Sequence, residues 1–232
     1  MINQLVRYAP LLKRLEGERG SILEIGSGPD GIASYLQRQC VGLEIDFHAD
    51  PDPYLIPVAG SAVDLPFTDR AFDLVLIMDT IEHIPFELRA RAVAEAGRVC
   101  RDTLIIGGPM GAAARAADDR LAAHYARRGI ELPGWLREHL TRRAPDVTEV
   151  RDWMHEVGFE VGVEPNEGVR SHLALMRFEV SRFGGRITDR VRNNVPRLVL
   201  PVARRRPKGA VYSWLLTGRR PGDPAEVPAV LR

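Results

Sequence analysis

The sequence predicts a doubly wound α/β domain on a mostly parallel, seven-stranded sheet, with a helical cap inserted late in the chain. Three observations carry this expectation. Short apolar runs alternate with helical or turn-forming segments through the first half, the pattern of successive βαβ units. One of these runs, Phe72–Met78, is apolar nearly throughout, as a strand covered on both faces requires. The first run, Ile22–Ile25, ends in a glycine-rich turn. Open α/β sheets bind ligands at such turns, outside the carboxyl ends of their strands.

The elements follow in order. Gln4–Leu15 reads as an amphipathic lead-in helix interrupted by Pro10. Ile22–Ile25 is the first strand, a helix follows over about Ile32–Arg38, and Val41–Ile45 is the second strand. His48–Pro57 holds three prolines and no helical period, so Val58 is expected to open a short third strand without a full crossover helix before it. Phe72–Met78 is the fourth strand, Phe86–Val99 an alanine-rich helix and Leu104–Ile106 the fifth strand. Gly111–Arg143, rich in alanine and arginine, reads as a helical cap over the sheet edge. Thr148–Val157 is another helix, with Thr148 or Asp146 as N-cap. Phe159–Val163 resumes strand character, residues 168–183 and 187–203 look helical, and Val211–Thr217 is the last strand.

Composition narrows the classes. The chain has 232 residues, 45% hydrophobic and 27% charged, values of an ordinary globular protein. The longest stretch free of Asp, Glu, Lys and Arg is 12 residues, Thr103–Ala114, against the roughly 20 that a membrane-spanning helix needs. The first residues lack a long apolar core and a small-residue cleavage site, so no secretory signal is expected. Two cysteines, Cys40 and Cys100, have no metal-type spacing. A disulfide framework is not expected, and a reducing cytoplasm is the default location. The net charge of +1 hides an asymmetry: residues 182–220 carry +10 and the first 181 residues −8.

The strongest motif is Ile22-Leu-Glu-Ile-Gly-Ser-Gly-Pro-Asp-Gly31. Gly26 and Gly28 stand just after a strand, where the backbone turns sharply and a ligand can approach without a Cβ in the way. Read literally, Gly26, Gly28 and Gly31 spell G-x-G-x-x-G. Glu24 adds E-x-G-x-G, and Glu44 closes the second strand. Gly60-Ser-Ala-Val-Asp-Leu-Pro-Phe67 then leads into Phe72-Asp-Leu-Val-Leu-Ile-Met-Asp-Thr-Ile-Glu-His-Ile84.

Over Ile22–Pro109, this ordered succession resembles the class I S-adenosylmethionine-dependent methyltransferases, in particular a branch with an L-P-F segment and an E-H pair after strand four. The residues themselves mark 111–143 as the helical cap, 144–220 as the C-terminal part of the sheet with a basic helical insertion, and 221–232 as a tail. The resemblance, carried by motifs up to Pro109 and only architectural beyond residue 110, implies a single Rossmann-like domain over 1–232 with 20–110 as its cofactor-binding core. It implies that Glu24, Gly26, Ser27 and Gly28 line the methionine part of S-adenosylmethionine. Glu44 would accept both ribose hydroxyls, since a carboxylate takes two hydrogen bonds at once. Ser61 and Ala62 would meet adenine, and Asp79 the methionine moiety. Two departures stand out: Asp30 occupies a position where many members have glycine, with Gly31 one residue later, and Ser61 replaces the usual adenine-binding acid.

Methyl transfer is an in-line displacement that needs alignment and a deprotonated acceptor. An oxygen acceptor calls for a general base, and histidine is the usual one near neutral pH. His83, beside Glu82 at the sheet's carboxyl edge, is the first candidate, and His139 in the cap the second. His172 is weaker, while His48, His124 and His155 read as surface residues. His48, Asp50 and Asp52 lie in a proline-rich loop with poor ligand spacing, so no metal site is expected. Trp135 and Trp153 either wall a substrate pocket or pack helices on the sheet, with packing preferred. The acceptor expected is a small-molecule or glycan hydroxyl. No N/D-P-P-Y motif of nitrogen-directed enzymes follows strand four, where Asp79-Thr-Ile-Glu stands instead. Residues 197–208 join an apolar stretch to Arg204-Arg-Arg-Pro-Lys208. A solvated basic surface is the simplest reading, peripheral contact with an anionic membrane surface comes second, and nucleic acid ranks last. Two rivals remain. One is a nicotinamide-dependent oxidoreductase using the glycine loop, weakened because no tyrosine is followed four residues later by lysine. The other is a cofactor-binding protein without turnover.

Overall fold

The structure, a computed structural model, describes residues 2–15, 17, 19–181, 207 and 209–222. The chain opens with α1 (Ile2–Arg14), then β1 (Ile22–Ile25), α2 (Ala33–Leu36), β2 (Cys40–Glu44), β3 (Leu55–Ala59) and β4 (Phe72–Met78). A 3₁₀ turn, Ile81–His83, leads to α3 (Phe86–Val99), β5 (Cys100–Pro109), α4 (Gly111–Arg128), α5 (Gly134–Thr141) and α6 (Val147–Glu156). β6 (Glu160–Gly168), α7 (Val169–Glu179) and β7 (Val211–Arg219) complete it. The seven strands form one sheet in the order β3-β2-β1-β4-β5-β7-β6. β1 to β5 run parallel, and β7 inserts antiparallel between β5 and β6. This order departs from the 3-2-1-4-5-6 of dinucleotide-binding sheets, which counts against the oxidoreductase rival.

The pleat of the central strands separates two cores. Leu23, Ile25, Val75, Ile77, Leu104 and Ile106 face α3 and α6, meeting Ala92, Val93, Ala96, Val150 and Met154. Ile22, Leu74, Leu76, Met78 and Ile105 face the other way, onto Tyr8, Leu11, Leu12 and Leu15 of α1 and Ile32 and Ala33 at α2. A third cluster joins α4, α5 and α7 to Tyr212 of β7. The second core brings α1 against β1 and β4, and the third gathers α5 with α4, α7 and β7.

Several expectations are corrected in detail. α1 runs through Pro10 without a break, because its buried Tyr8, Ala9, Leu11 and Leu12 bind it to the sheet on both sides of the missing hydrogen bond. The third strand starts at Leu55 rather than Val58 and takes Pro57 inside it, which an edge strand tolerates. The helix after β1 shrinks to Ala33–Leu36, and β5 is far longer than Leu104–Ile106 because antiparallel β7 pairs with it up to Pro109. The 111–143 stretch is two helices, divided where Gly129 turns left-handed (φ 63°) and its N–H and that of Ile130 bond back to the end of α4. Asp146 is the N-cap of α6, its Oδ1 accepting from the N–H groups of Thr148 and Glu149. Of the segments expected to be basic, helical or tail-like, 182–206, 208 and 223–232 lie outside the described residues. Among the described residues, no helix is long and apolar enough to cross a membrane.

Candidate active site

The loop after β1 is built on left-handed glycines. Gly26 (φ 74°) donates its N–H to the Leu43 carbonyl at 2.8 Å, tying the turn to β2. A Cβ there would stand 2.2 Å from Thr80 Oγ1, so the loop rests directly on the segment after β4. Gly28 (φ 58°) has open space where a Cβ would go, which makes its backbone approachable. Its N–H donates to Glu44 Oε2 at 3.1 Å, while Ile45 N–H donates to Oε1. Gly31 is also left-handed, and a Cβ on it would lie 2.6 Å from Glu24 Oε2. The turn therefore closes on Gly31, which accommodates Asp30 at the position before it. Ser27 is buried and its hydroxyl donates to the Gly28 carbonyl. Gly42, which the motif reading passed over, lets this loop approach β2, since a Cβ there would sit 2.5 Å from Ser27 Oγ. Ser61 forms a bridge with Asp64 beyond β3, and Gly60 N–H reaches the Glu44 carbonyl. Ala62 packs on the core edge.

Two predicted residues carry partners from α1. Glu24 is fully enclosed. Tyr8 O–H donates to its Oε1 at 2.5 Å and Ile32 N–H to its Oε2 at 2.6 Å. It thus sits behind the loop and braces it. Burial pushes the Glu24 carboxyl up to about 7 and overrides the two hydrogen bonds that favour its ionised form. Asp79, left-handed at φ 50°, accepts from Arg7 at 2.8 Å. Arg7 and Tyr8 were invisible to motif reading; the only hint was the apolar face of α1.

The raised Glu24 carboxyl has a consequence for stability. The folded state keeps a proton that the unfolded chain releases near its ordinary 4.5. The protein is therefore stabilised below pH 4.5 and loses that contribution as pH rises to about 7. Glu24→Gln can satisfy both partners, because Tyr8 O–H can accept as well as donate. The stability difference between wild type and Glu24→Gln is expected to shift against the wild type by about 3 kcal/mol between pH 4.5 and 7.5. Paired thermal melts across that range check it, and a constant difference would contradict the buried protonated carboxyl.

Beyond Asp79 the 3₁₀ turn presents Glu82 and His83, and α5 brings His139 against them. The two imidazole centroids are 4.9 Å apart, and His139 Nε2 lies 3.9 Å from Glu82 Oε1. Each histidine turns its Nδ1 to a carboxylate: His83 to Glu138 at 2.7 Å and His139 to Asp118 at 3.0 Å. Tyr212 O–H donates to the other oxygen of Asp118. Glu82 is 4% exposed, and its Oε2 has no hydrogen-bond partner, like Nε2 of His139. Burial, reinforced by the nearby Asp79 charge, holds the Glu82 carboxyl well above its usual range. Burial lowers His83 against the pull of Glu138. A cleft open to solvent is lined by Glu82, His139, Asp118, Arg115, Arg142 and Arg143, among others.

Both predicted histidines are thus brought together with Glu82. Asp118, Glu138 and Tyr212, which sequence reading missed, support them; no local motif links residues 82, 118, 139 and 212. His172, weaker in the sequence reading, is buried elsewhere, stacked on Tyr212 at 3.5 Å and beside Glu167. His48 is exposed beside Asp46, and Asp52 serves a turn by accepting Tyr54 N–H. Trp153 packs on the main core, and Trp135 lies edge-on to His139 within the third cluster.

Residues 23–105 match a family described as methyltransferase domain. Solved structures share the architecture over nearly the whole chain. A possible histamine N-methyltransferase from Thermotoga maritima is 19% identical, with 94% of this chain and 91% of that one covered at a TM-score of 0.50. Magnesium protoporphyrin IX methyltransferase from Synechocystis PCC 6803, with bound SAH, is 11% identical over 94% and 84% at 0.54. Phosphoethanolamine N-methyltransferase 2 from Haemonchus contortus, in complex with phosphomonomethylethanolamine and S-adenosylhomocysteine, is 14% identical over 92% and 52% at 0.55. At these identities the shared property is the fold.

Proposed function

From the premise that residues 23–105 are a methyltransferase domain, we propose that this protein transfers the methyl group of S-adenosylmethionine to a hydroxyl oxygen. The cofactor is S-adenosylmethionine. The sheet order, the glycine loop and the acid closing β2 support its position along the carboxyl ends of β1, β2 and β4. Glu44 has lone pairs left for both ribose hydroxyls after accepting from Gly28 and Ile45. Ser61 and Ala62 offer the adenine a small, mostly backbone surface. The Arg7–Asp79 pair sets a cation and an anion side by side, suited to the carboxylate and ammonium of a methionine. Glu24 holds the loop from behind.

The observation that carries the acceptor reading is the Glu82–His83–His139 cluster beside Asp79. With Nδ1 of each histidine on a carboxylate, Nε2 is left with its lone pair, the form in which an imidazole accepts a proton or a cation. A hydroxyl placed there can be deprotonated as its oxygen attacks the methyl carbon in line with the departing sulfur. Arg115, Arg142 and Arg143 around the cleft favour a small acceptor that also bears an anionic group. The L-P-F segment and the E-H pair supply the core-edge turn and this cluster, which is what the proposed branch would share.

Glu44→Ala is expected to weaken S-adenosylhomocysteine binding about 100-fold and Glu44→Gln about 10-fold, since two hydrogen bonds to a charged acceptor are lost or weakened. Titration calorimetry measures both. Unchanged affinity in the alanine variant would remove Glu44 from the cofactor. A labelled-methyl assay with anionic and neutral hydroxyl compounds tests the acceptor class, and transfer to amines alone would overturn the oxygen reading.

A further inference from the structure

We propose that Glu82, His83 and His139 form a binding site for a divalent first-row transition-metal ion, with Asp118 and Glu138 orienting the two histidines. The proposal rests on the hydroxyl-acceptor reading for its role in the reaction, but not for the existence of the site. Four independent features of the geometry point to it.

The three side chains offer one ligand atom each, and these atoms lie within 4.8 Å of one another. Ligands at about 2.1 Å from a common ion stand at most about 4.2 Å apart. The 3.9 Å between His139 Nε2 and Glu82 Oε1 already meets this limit, and a shift of a few tenths of an ångström in a side chain closes the rest. Second, the cluster holds polar atoms without partners: His139 Nε2 and the second carboxylate oxygen of Glu82, Oε2, are buried without hydrogen bonds. A buried carboxylate oxygen and a buried imidazole lone pair left unpaired are costly unless something fills the space between them. Third, the other nitrogen of each ring is held by a carboxylate, Glu138 for His83 and Asp118 for His139. This carboxylate–histidine pairing fixes Nδ1 as the protonated nitrogen and aims Nε2, and it is the usual outer support of a metal-binding histidine. Tyr212 in turn anchors Asp118 from β7. Fourth, Glu82 and His139 themselves line the cleft, together with Arg115, Arg142 and Arg143, so an ion held by them would face that cleft and keep positions for a ligand there.

Two imidazoles and one carboxylate suit Mn²⁺, Fe²⁺, Co²⁺ or Zn²⁺ better than Ca²⁺ or Mg²⁺, which prefer oxygen throughout. The open positions would take the acceptor's hydroxyl. Coordination lowers the hydroxyl pKa, so its proton passes to solvent water and the oxygen attacks the methyl carbon. The C–S bond breaks with its electron pair going to sulfur, which leaves neutral S-adenosylhomocysteine and the methyl ether. In this form the histidine lone pairs are spent on the ion, and the ion takes over the work of a free imidazole base.

The test is Co²⁺ binding to the full chain after chelator treatment, read by visible absorption and by titration calorimetry, with S-adenosylhomocysteine binding measured in parallel. One Co²⁺ per chain is expected, with d–d bands characteristic of nitrogen and oxygen ligation. Glu82→Gln and His139→Ala are expected to weaken it at least about 100-fold, and Asp118→Asn and Glu138→Gln by about 10–100-fold. His48→Ala, exposed and remote, should leave it unchanged. Circular dichroism melts confirm that each variant is folded, and the three carboxylate-to-amide changes keep the test decisive if His139→Ala is not. Absence of Co²⁺ binding, or equal binding in wild type and in all four site variants, overturns the proposal. Retained S-adenosylhomocysteine binding alongside such a failure leaves the methyltransferase reading intact, whereas Co²⁺ binding without any affinity for the nucleoside would overturn the cofactor reading and keep the metal site.

Discussion

Gly26→Ala should destabilise the protein by about 3 kcal/mol and abolish measurable S-adenosylhomocysteine binding. Two costs add. A non-glycine residue at φ 74° loses about 1–2 kcal/mol to left-handed backbone strain. The new methyl would also stand 2.2, 2.4 and 2.8 Å from Oγ1, Cγ2 and Cβ of Thr80. Relieving that overlap means shifting the loop or the segment after β4, at about 1–3 kcal/mol. For a domain of this size the melting temperature falls by roughly 6–12 °C. Gly28→Ala is the matched control. It too is left-handed, at φ 58°, but a Cβ there meets nothing within 4 Å, so only the strain term of about 1 kcal/mol applies to its stability. Equal melting temperatures for the two variants would show that the loop does not rest on Thr80.

Arg7→Ala is expected to cost about 3–5 kcal/mol, the range for removing one partner of a buried ion pair. The side chains of Arg7 and Asp79 are only 13% and 18% exposed, with 2.8 Å between NH1 and Oδ1. Arg7 also faces the charges of Glu167 and Glu82, so its loss leaves several buried acids without this cation. Arg7→Lys keeps the charge but not the planar fork, and should recover about half of the loss. Denaturant titration of the three proteins, with the double variant Arg7→Ala/Asp79→Asn, completes the cycle. The double variant should be more stable than Arg7→Ala alone, because the stranded carboxylate is gone. A double variant no better than the single one would mean that Asp79 is not the group Arg7 neutralises.

Arg7 also marks where sequence reading stops. The β1 glycine loop, the acid closing β2, the apolar fourth strand and the Glu82–His83 pair were legible because each is a local pattern. A strand that ends in Gly-x-Gly must turn there, and an apolar run bounded by turns must be buried. α3 was read to its terminal residues because alanine-rich helical periodicity over Phe86–Val99 has no competing signal. Pro10 misled the reading of α1 because propensity speaks for an isolated helix, whereas packing of Tyr8, Leu11 and Leu12 outweighs one lost hydrogen bond. The third strand was placed too late for the same kind of reason: Pro57 looks like a breaker until its strand is known to be an edge.

From the amino-acid order alone, then, came the α/β class, the parallel succession of the first five strands and the residues that turn the chain toward a ligand, all consequences of periodicity and of glycine's missing side chain. Tertiary structure alone decided which groups meet. It sets Tyr8 on Glu24, Arg7 on Asp79, and His139 with Asp118 beside Glu82 and His83. These partners are separated by up to 72 positions along the chain, and nothing local encodes their contact. Burial in a shared low-dielectric interior makes each of these pairings matter, and only the folded sheet creates that interior.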